Sequence, residues 1–412
     1  MRKGKRGLAG CLGAALLCLG GFAVAAEPAV PQPLVSAYTD FGFNLFAEVG
    51  RRDAGKNVFI SAPSVAFALA MTYNGANGET ARAMAETLRL KGMSRGEANR
   101  ANAALKALLQ DPGPGVALAI ANSLWARQDV SFKPEFLERN KKSYGAKVAV
   151  LDFADPAAPA TINAWVSENT KGKIEDIVNK IPRSAILYLI NAIYFKGDWT
   201  NPFDEAKTRE RPFHLADGSQ KMHPMMARSG YYRHYRGPDF QAVSLPYGEG
   251  RLSMYVFLPD EGGSLLEFQK RLNAESWSEW MSQFRMAEGE IVLPRLKLRY
   301  EARLNDMLGA LGMEVAFDPD RADFGDMCTV SERVLISEVK HKTFVEVNEK
   351  GTEAAAATSV ETRAVSGLLY QFTYQFTMVV DRPFFFAIRD DKTGLVLFMG
   401  SIVEPEVDAA TH

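Results

Sequence analysis

At 412 residues the chain exceeds the usual size of a single domain, so it holds either two domains or one large composite one. A formal net charge of −1 with 24% charged residues excludes any overall electrostatic case for nucleic acid or a membrane surface, and 47% hydrophobic residues are ample for a packed core. With three cysteines and five histidines, the sequence also offers little material for a disulfide framework or a metal centre.

Arg2, Lys3, Lys5 and Arg6 precede an apolar run from Leu8 to Val24, and Ala25 and Ala26 stand before Glu27. This is the layout of a cleavable Sec signal over residues 1–26, cut after Ala25 or Ala26, and it predicts export to the extracellular space or the periplasm. Leu8-Ala9-Gly10-Cys11 superficially resembles a lipoprotein box, but its apolar core follows Cys11 instead of preceding it. Cys11 and Cys18 leave with the signal, so Cys328 alone remains and the mature chain has no internal disulfide. Nothing near Cys328 in sequence lowers its pKa, and it reads as a small filler residue and not a nucleophile. No later run approaches the length of a membrane span.

After a Pro-rich linker (Pro28, Pro31, Pro33), Tyr38, Phe41, Leu45, Phe46 and Val49 recur at helical spacing. Residues 57–60 then read as a short buried strand, and Ser61 to Ser64 as a turn capping a helix through Tyr73. Val116, Leu118, Ile120 and Leu124 alternate with small residues, which predicts a strand with one thin face. A helix is expected over 132–144. Residues 186–195 (ILYLINAIYF) are apolar on both faces, as in a central strand, with Asn191 the one polar interruption. Several antiparallel strands follow between 213 and 259, then a short helix over 265–272, a strand over 291–300, a helix over 302–311 and a strand over 340–349. The order lacks a βαβ rhythm, which argues an α+β fold.

The strand over 340–349 feeds the stretch EKGTEAAAATSVETRAVS, residues 349–366. Four consecutive alanines favour helix, whereas the Gly351-Thr352 entry and the Thr358-Ser359-Val360 exit favour extended chain, so the local preference is divided. Beyond it Tyr370-Gln371-Phe372-Thr373 is repeated at 374–377, a period-two pattern that predicts a strand. No nucleophile elbow, zinc-binding helix or phosphate loop surrounds His214, His223, His234, His341 or His412, so catalytic turnover has no visible machinery. His341 reads as a core histidine hydrogen-bonded to a neighbour.

EKGTEAAAAT, LINAIYFKGDWTNPF, DRPFFFAI and LVLFMGSIVEP together resemble the hinge, central strand and C-terminus of the serpin family, and the resemblance covers nearly the whole mature chain. It implies one composite α+β domain over 27–412: three β-sheets including a large main sheet, eight or nine surrounding helices, and an exposed reactive loop over about 350–369. The implied activity is irreversible inhibition of a protease, not turnover, with no cofactor or metal; a non-inhibitory binding protein or chaperone is the alternative. Glu349, Gly351, Thr352, Ala354, Ala355, Ala356, Ala357 and Thr358 match the hinge. Ser61, Ser64, Asn191 and His341 match the shutter that joins adjacent strands, and Trp199 the breach where the loop enters the sheet.

Counting from Glu349, the family pattern places the scissile bond between Val365 and Ser366, with Arg363, Leu368, Leu369 and Tyr370 as alternatives. A small β-branched side chain suits a shallow apolar pocket, so an elastase-like or subtilisin-like serine protease is the expected partner, with a cysteine protease as a further class. The 17 residues from Ser366 to Arg382 make the exit of the loop longer than the family pattern. A free loop of this kind also predicts a monomer that can polymerise by adding its loop to a neighbour's sheet.

Overall fold

The computed structural model describes residues 30–329, 333–352 and 375–407. Among the described residues the chain forms nine α-helices and three β-sheets, as the α+β reading predicts. The first helix, Gln32–Arg52, buries Tyr38, Phe41, Leu45, Phe46 and Val49, carries Pro33 in its first turn where a missing N–H costs nothing, and ends on Arg51 and Arg52. All twelve residues of the next helix, Ala62–Tyr73, are buried. It has no polar face because it runs between two sheets, packing on the strands Leu187–Asp198, Val116–Arg127 and Val396–Ile402.

The sheet that matters for function has six strands in the order Leu296–Arg303, Ile336–Val347, Gly351–Thr352, Leu187–Asp198, Val116–Arg127 and Lys147–Leu151. Its central strand, Leu187–Asp198, pairs antiparallel with Val116–Arg127 and parallel with Ile336–Val347. One face of this sheet meets the helix Ala62–Tyr73 and the main core. The other buries Tyr188, Ile190, Tyr194 and Phe344 against Ile162 and Val166 of the helix Ala158–Asn169. A nine-stranded sheet backs the main core; its size follows from the 17-residue strand Gln220–Arg236, which has partners on both sides. The third sheet joins only Ser131–Phe132 and Cys328–Thr329.

The expected strand over 291–300 is two strands in two sheets. Pro294 has no N–H to continue a ladder, so Arg285–Pro294 ends there, and after a corner at Arg295 the strand Leu296–Arg303 enters the six-stranded sheet. The expected helix over 302–311 contracts to Asn305–Leu308 and a wider turn over Gly309–Met313, because Gly312 adopts φ 104°. Helices Arg95–Gln110 and Ala274–Gln283 were not anticipated, although capping boxes at Ser94/Glu97 and Asn273/Ser276 mark their starts.

Four helices are tied by a buried polar chain. Tyr38 Oη donates to Asn102 Oδ1 at 2.7 Å, Asn102 Nδ2 to Tyr144 Oη at 3.3 Å, Tyr144 Oη to Asn99 Oδ1 at 2.7 Å, and Asn99 Nδ2 to Asn74 Oδ1 at 2.8 Å. Asn74 Nδ2 in turn reaches Asn140 Oδ1 at 3.2 Å. Asn74→Ala strands buried partners on two helices and should cost about 1–3 kcal/mol, read as a lowered denaturant midpoint with an unchanged slope.

Candidate functional site

The site lies along the seam between the central strand and Ile336–Val347. From Ile336 to Phe344 the two strands pair directly, with His341 opposite Asn191 and Phe344 opposite Tyr194. Above Phe344 they are parted by Gly351–Thr352. Asn348 and Gly351 exchange backbone hydrogen bonds at 2.8 and 3.2 Å, which turns the chain back on itself. Thr352 then pairs with Val347 on one side and Gly197 on the other, and Gly351 with Asp198. Gly351 and Thr352, expected at the start of an exposed loop, are therefore buried strand.

Charge holds the upper end of the seam. Glu349 is almost wholly buried, accepts hydrogen bonds from Arg295 Nε at 2.8 Å and Thr208 Oγ1 at 2.5 Å, and ion-pairs with Arg295 Nη2 at 2.6 Å. Burial works to raise its carboxyl, but the hydrogen bonds from Arg295 and Thr208 outweigh that and hold it below the usual carboxylate range. Trp199 Nε1 donates to Asn348 O at 2.9 Å, its backbone N–H to Lys350 O at 2.8 Å, and its ring stacks on Tyr247. Trp199 thus abuts the turn at Asn348–Gly351.

Lower down, the seam is closed by neutral groups. Ser61 lies just before the helix Ala62–Tyr73, but its side chain makes no capping bond; instead its backbone N–H donates to His341 Nε2 at 3.1 Å. That fixes the tautomer: Nε2 accepts, so Nδ1–H donates to Asn191 Oδ1 at 2.5 Å. Asn191 Nδ2 donates to Ser64 Oγ at 2.5 Å and to Asn122 Oδ1, and Thr343 Oγ1 donates to Phe59 O at 2.6 Å. Ser61, Ser64, Asn191 and His341 thus converge on one dry cluster spanning the helix and three strands. Burial pushes the His341 imidazole down to about 3, with the hydrogen bond to Asn191 opposing.

Sequence reading missed five members. Arg295 was hidden by treating 291–300 as one strand, although Pro294 signals the break. Asn122, in AIANSLW, is a polar interruption of the same kind as Asn191. Thr208, Tyr247 and Thr343 carried no local signal. Ala354, Ala355, Ala356, Ala357, Thr358, Arg363, Val365, Ser366, Leu368, Leu369 and Tyr370 lie outside the described residues. Among the described residues no group of three or more metal-ligating side chains occurs, and no helix is long and apolar enough to cross a membrane. Cys328 is buried, and burial pushes its thiol up to about 11, as a filler residue requires.

Comparison with known proteins agrees with this geometry. The family model described as Serpin (serine protease inhibitor) matches residues 36–405. The chain is similar to human Serpin B8, 36% identical over 379 residues that cover 90% of this chain and 99% of that protein. It is similar also to the leukocyte elastase inhibitor of Xenopus laevis, 35% identical over 384 residues that cover 91% and 100%. Among solved structures, native tengpin, a thermophilic serpin, superposes with a TM-score of 0.84 at 31% identity, covering 92% of this chain and 96% of that one. Human thyroxine-binding globulin gives 0.84 at 26% identity, covering 92% and 100%.

The neutral cluster makes the closed seam acid-sensitive. The folded His341 value lies below the unfolded one, near 6.5, so the unfolded chain binds a proton that the native cluster refuses. Its contribution to stability is complete above about pH 6.5 and is lost as pH falls toward 3, at up to about 1.4 kcal/mol per pH unit. His223 and His234, also held down by burial, add to the loss. Unfolding midpoints from pH 7.5 to 4.5 should fall less steeply in His341→Gln than in the wild type; equal slopes would remove His341 as a cause.

Proposed function

The chain belongs to the serpin family, described as serine protease inhibitors and not enzymes, and from that premise we propose that it traps a serine protease as a suicide substrate. The protease serine attacks the carbonyl carbon of Val365, the bond to Ser366 breaks, and the amine leaves with residues 366–412 while Val365 stays bound as an acyl-enzyme. The freed upstream segment then adds a strand to the six-stranded sheet.

The observation that carries this reading is the register of the hinge. Continuing both of its pairings places Ala355 between Phe344 and Tyr194, and Thr358 between His341 and Asn191, residues that already face each other across the seam. Two independent ladders thus agree on one insertion path. Along it Ala354 and Ala356 meet Val345, Phe195, Thr343 and Ile193, all buried on the main-core side. Ala355 arrives among Phe344 and Tyr194 beneath the helix Ala158–Asn169. A strand squeezed on both faces needs small side chains at consecutive positions, which accounts for four alanines in a row. Glu353 falls beside the half-exposed Lys196 and Glu346 and stays wet. Thr358 arrives where the His341–Asn191 hydrogen bond must part, with a hydroxyl able to accept from one and donate to the other.

Val365 favours an elastase-like or subtilisin-like target, and one similar protein is named as an inhibitor of leukocyte elastase. A cysteine protease reacts by the same acylation logic and remains within this proposal. From the leader-like residues 1–26 we infer export, and action as a monomer prone to loop-into-sheet polymers on heating. A second reading, a non-inhibitory binding protein, draws on the likeness to thyroxine-binding globulin. The unbroken small-residue hinge favours inhibition.

Mixing the mature protein with elastase, subtilisin, trypsin and chymotrypsin should give with the first two a complex that survives SDS and a released peptide beginning at Ser366. Cleavage by every enzyme without a stable complex would move the binding-protein reading to the front. In Ala356→Glu a charge must enter the core, so trapping should fall more than tenfold while cleavage continues; undiminished trapping would reject the insertion path.

A further inference from the structure

Tyr247 ends the strand Phe240–Tyr247 of the nine-stranded sheet, yet its hydroxyl reaches the six-stranded one. The side chain is fully buried. Its ring stacks on Trp199 at 4.4 Å and 10°, meets Phe195 edge-on at 5.1 Å, and its Oη lies 2.6 Å from Thr352 Oγ1. Two glycines make the approach possible. A Cβ on Gly197 would stand 2.7 Å from Tyr247 Cδ1, and one on Gly351 would stand 2.1 Å from Gly197 O. Ring and hinge can therefore both close on the end of the central strand only because neither glycine has a side chain. Among the described residues the hinge strand is Gly351–Thr352, and Tyr247 gives the Thr352 side chain a partner inside the core.

We propose that Tyr247 and Thr352 form a latch that seats the hinge before any protease arrives, so that insertion after cleavage extends an existing strand instead of starting one. The first residues of a new strand lose backbone freedom before they gain a ladder, and later residues gain pairing on both sides at once. A seated Thr352 removes that opening step. Presentation of the loop does not suffer: the 22 residues from 353 to 374 can span up to about 70 Å when extended. The inference rests on the inhibitory reading above, since a seed matters only to a loop that inserts.

The test compares wild type, Tyr247→Phe, Thr352→Val, Thr352→Ser and the Tyr247→Phe/Thr352→Val double variant with elastase. Three quantities are read: amide exchange at Gly351 and Thr352 in the uncleaved protein, the initial rate of loop cleavage, and the number of inhibitor molecules consumed per protease trapped. Tyr247→Phe and Thr352→Val should each raise exchange at the hinge about tenfold and consumption severalfold, leaving the initial cleavage rate unchanged. Thr352→Ser should behave as wild type, and the double variant should be no worse than either single one. Unchanged exchange in Tyr247→Phe, or lost protection with trapping as efficient as before, would overturn the latch alone. A wild type that is cleaved by elastase, subtilisin, trypsin and chymotrypsin and traps none of them would overturn the inhibitory reading and the latch together.

Discussion

Everything in this molecule is arranged around one seam, the parallel pairing of Leu187–Asp198 with Ile336–Val347. Parallel ladders are slanted and slightly weaker per residue than antiparallel ones, and this one is already parted at its upper end by two residues of the hinge. A helix without a polar face lies under the seam and carries the serines that close it, and a second helix covers the opposite face with aliphatic side chains. The same pairing therefore holds the sheet closed and, in the proposed mechanism, is the path along which it opens.

The two ends of the seam are closed by different physics. At the top, a buried carboxylate is compensated by Arg295 and Thr208, and removing either partner leaves a charge with fewer bonds than it needs. In the middle the cluster is neutral and buried: the Ser61 N–H donates to His341, His341 to Asn191, and the Asn191 amide to both Ser64 and Asn122. This chain of bonds runs across the seam, so the proposed insertion breaks its central hydrogen bond, and on that proposal Thr358 can satisfy both halves. A closing device that the inserting strand itself satisfies can open without leaving buried groups unpaired.

Much of this was legible in the sequence because the informative residues break local rules. Asn191 interrupts an otherwise apolar central strand, the Ala354–Ala357 run contradicts its extended flanks, and His341 sits in an alternating buried strand. Asn191 and His341 lie opposite each other on the seam. Residues whose role depends on a change of direction were not legible. Arg295 reaches Glu349 only because the chain turns between sheets at Pro294, and Tyr247 reaches Thr352 only because the end of a strand in one sheet abuts the end of the other's central strand. Gly197 carried no signal of its own, and its lack of a Cβ is what lets an aromatic ring lie against the strand.

The central claim is that the loop, once cut, becomes a strand of the six-stranded sheet. Thermal unfolding of the native protein and of the same protein cleaved within residues 353–374 tests it most directly. A new central strand adds a ladder on both edges and buries apolar area that the native state leaves unused, so the cleaved form should melt at a markedly higher temperature despite its broken chain. A cleaved form that melts at or below the native temperature would contradict the account.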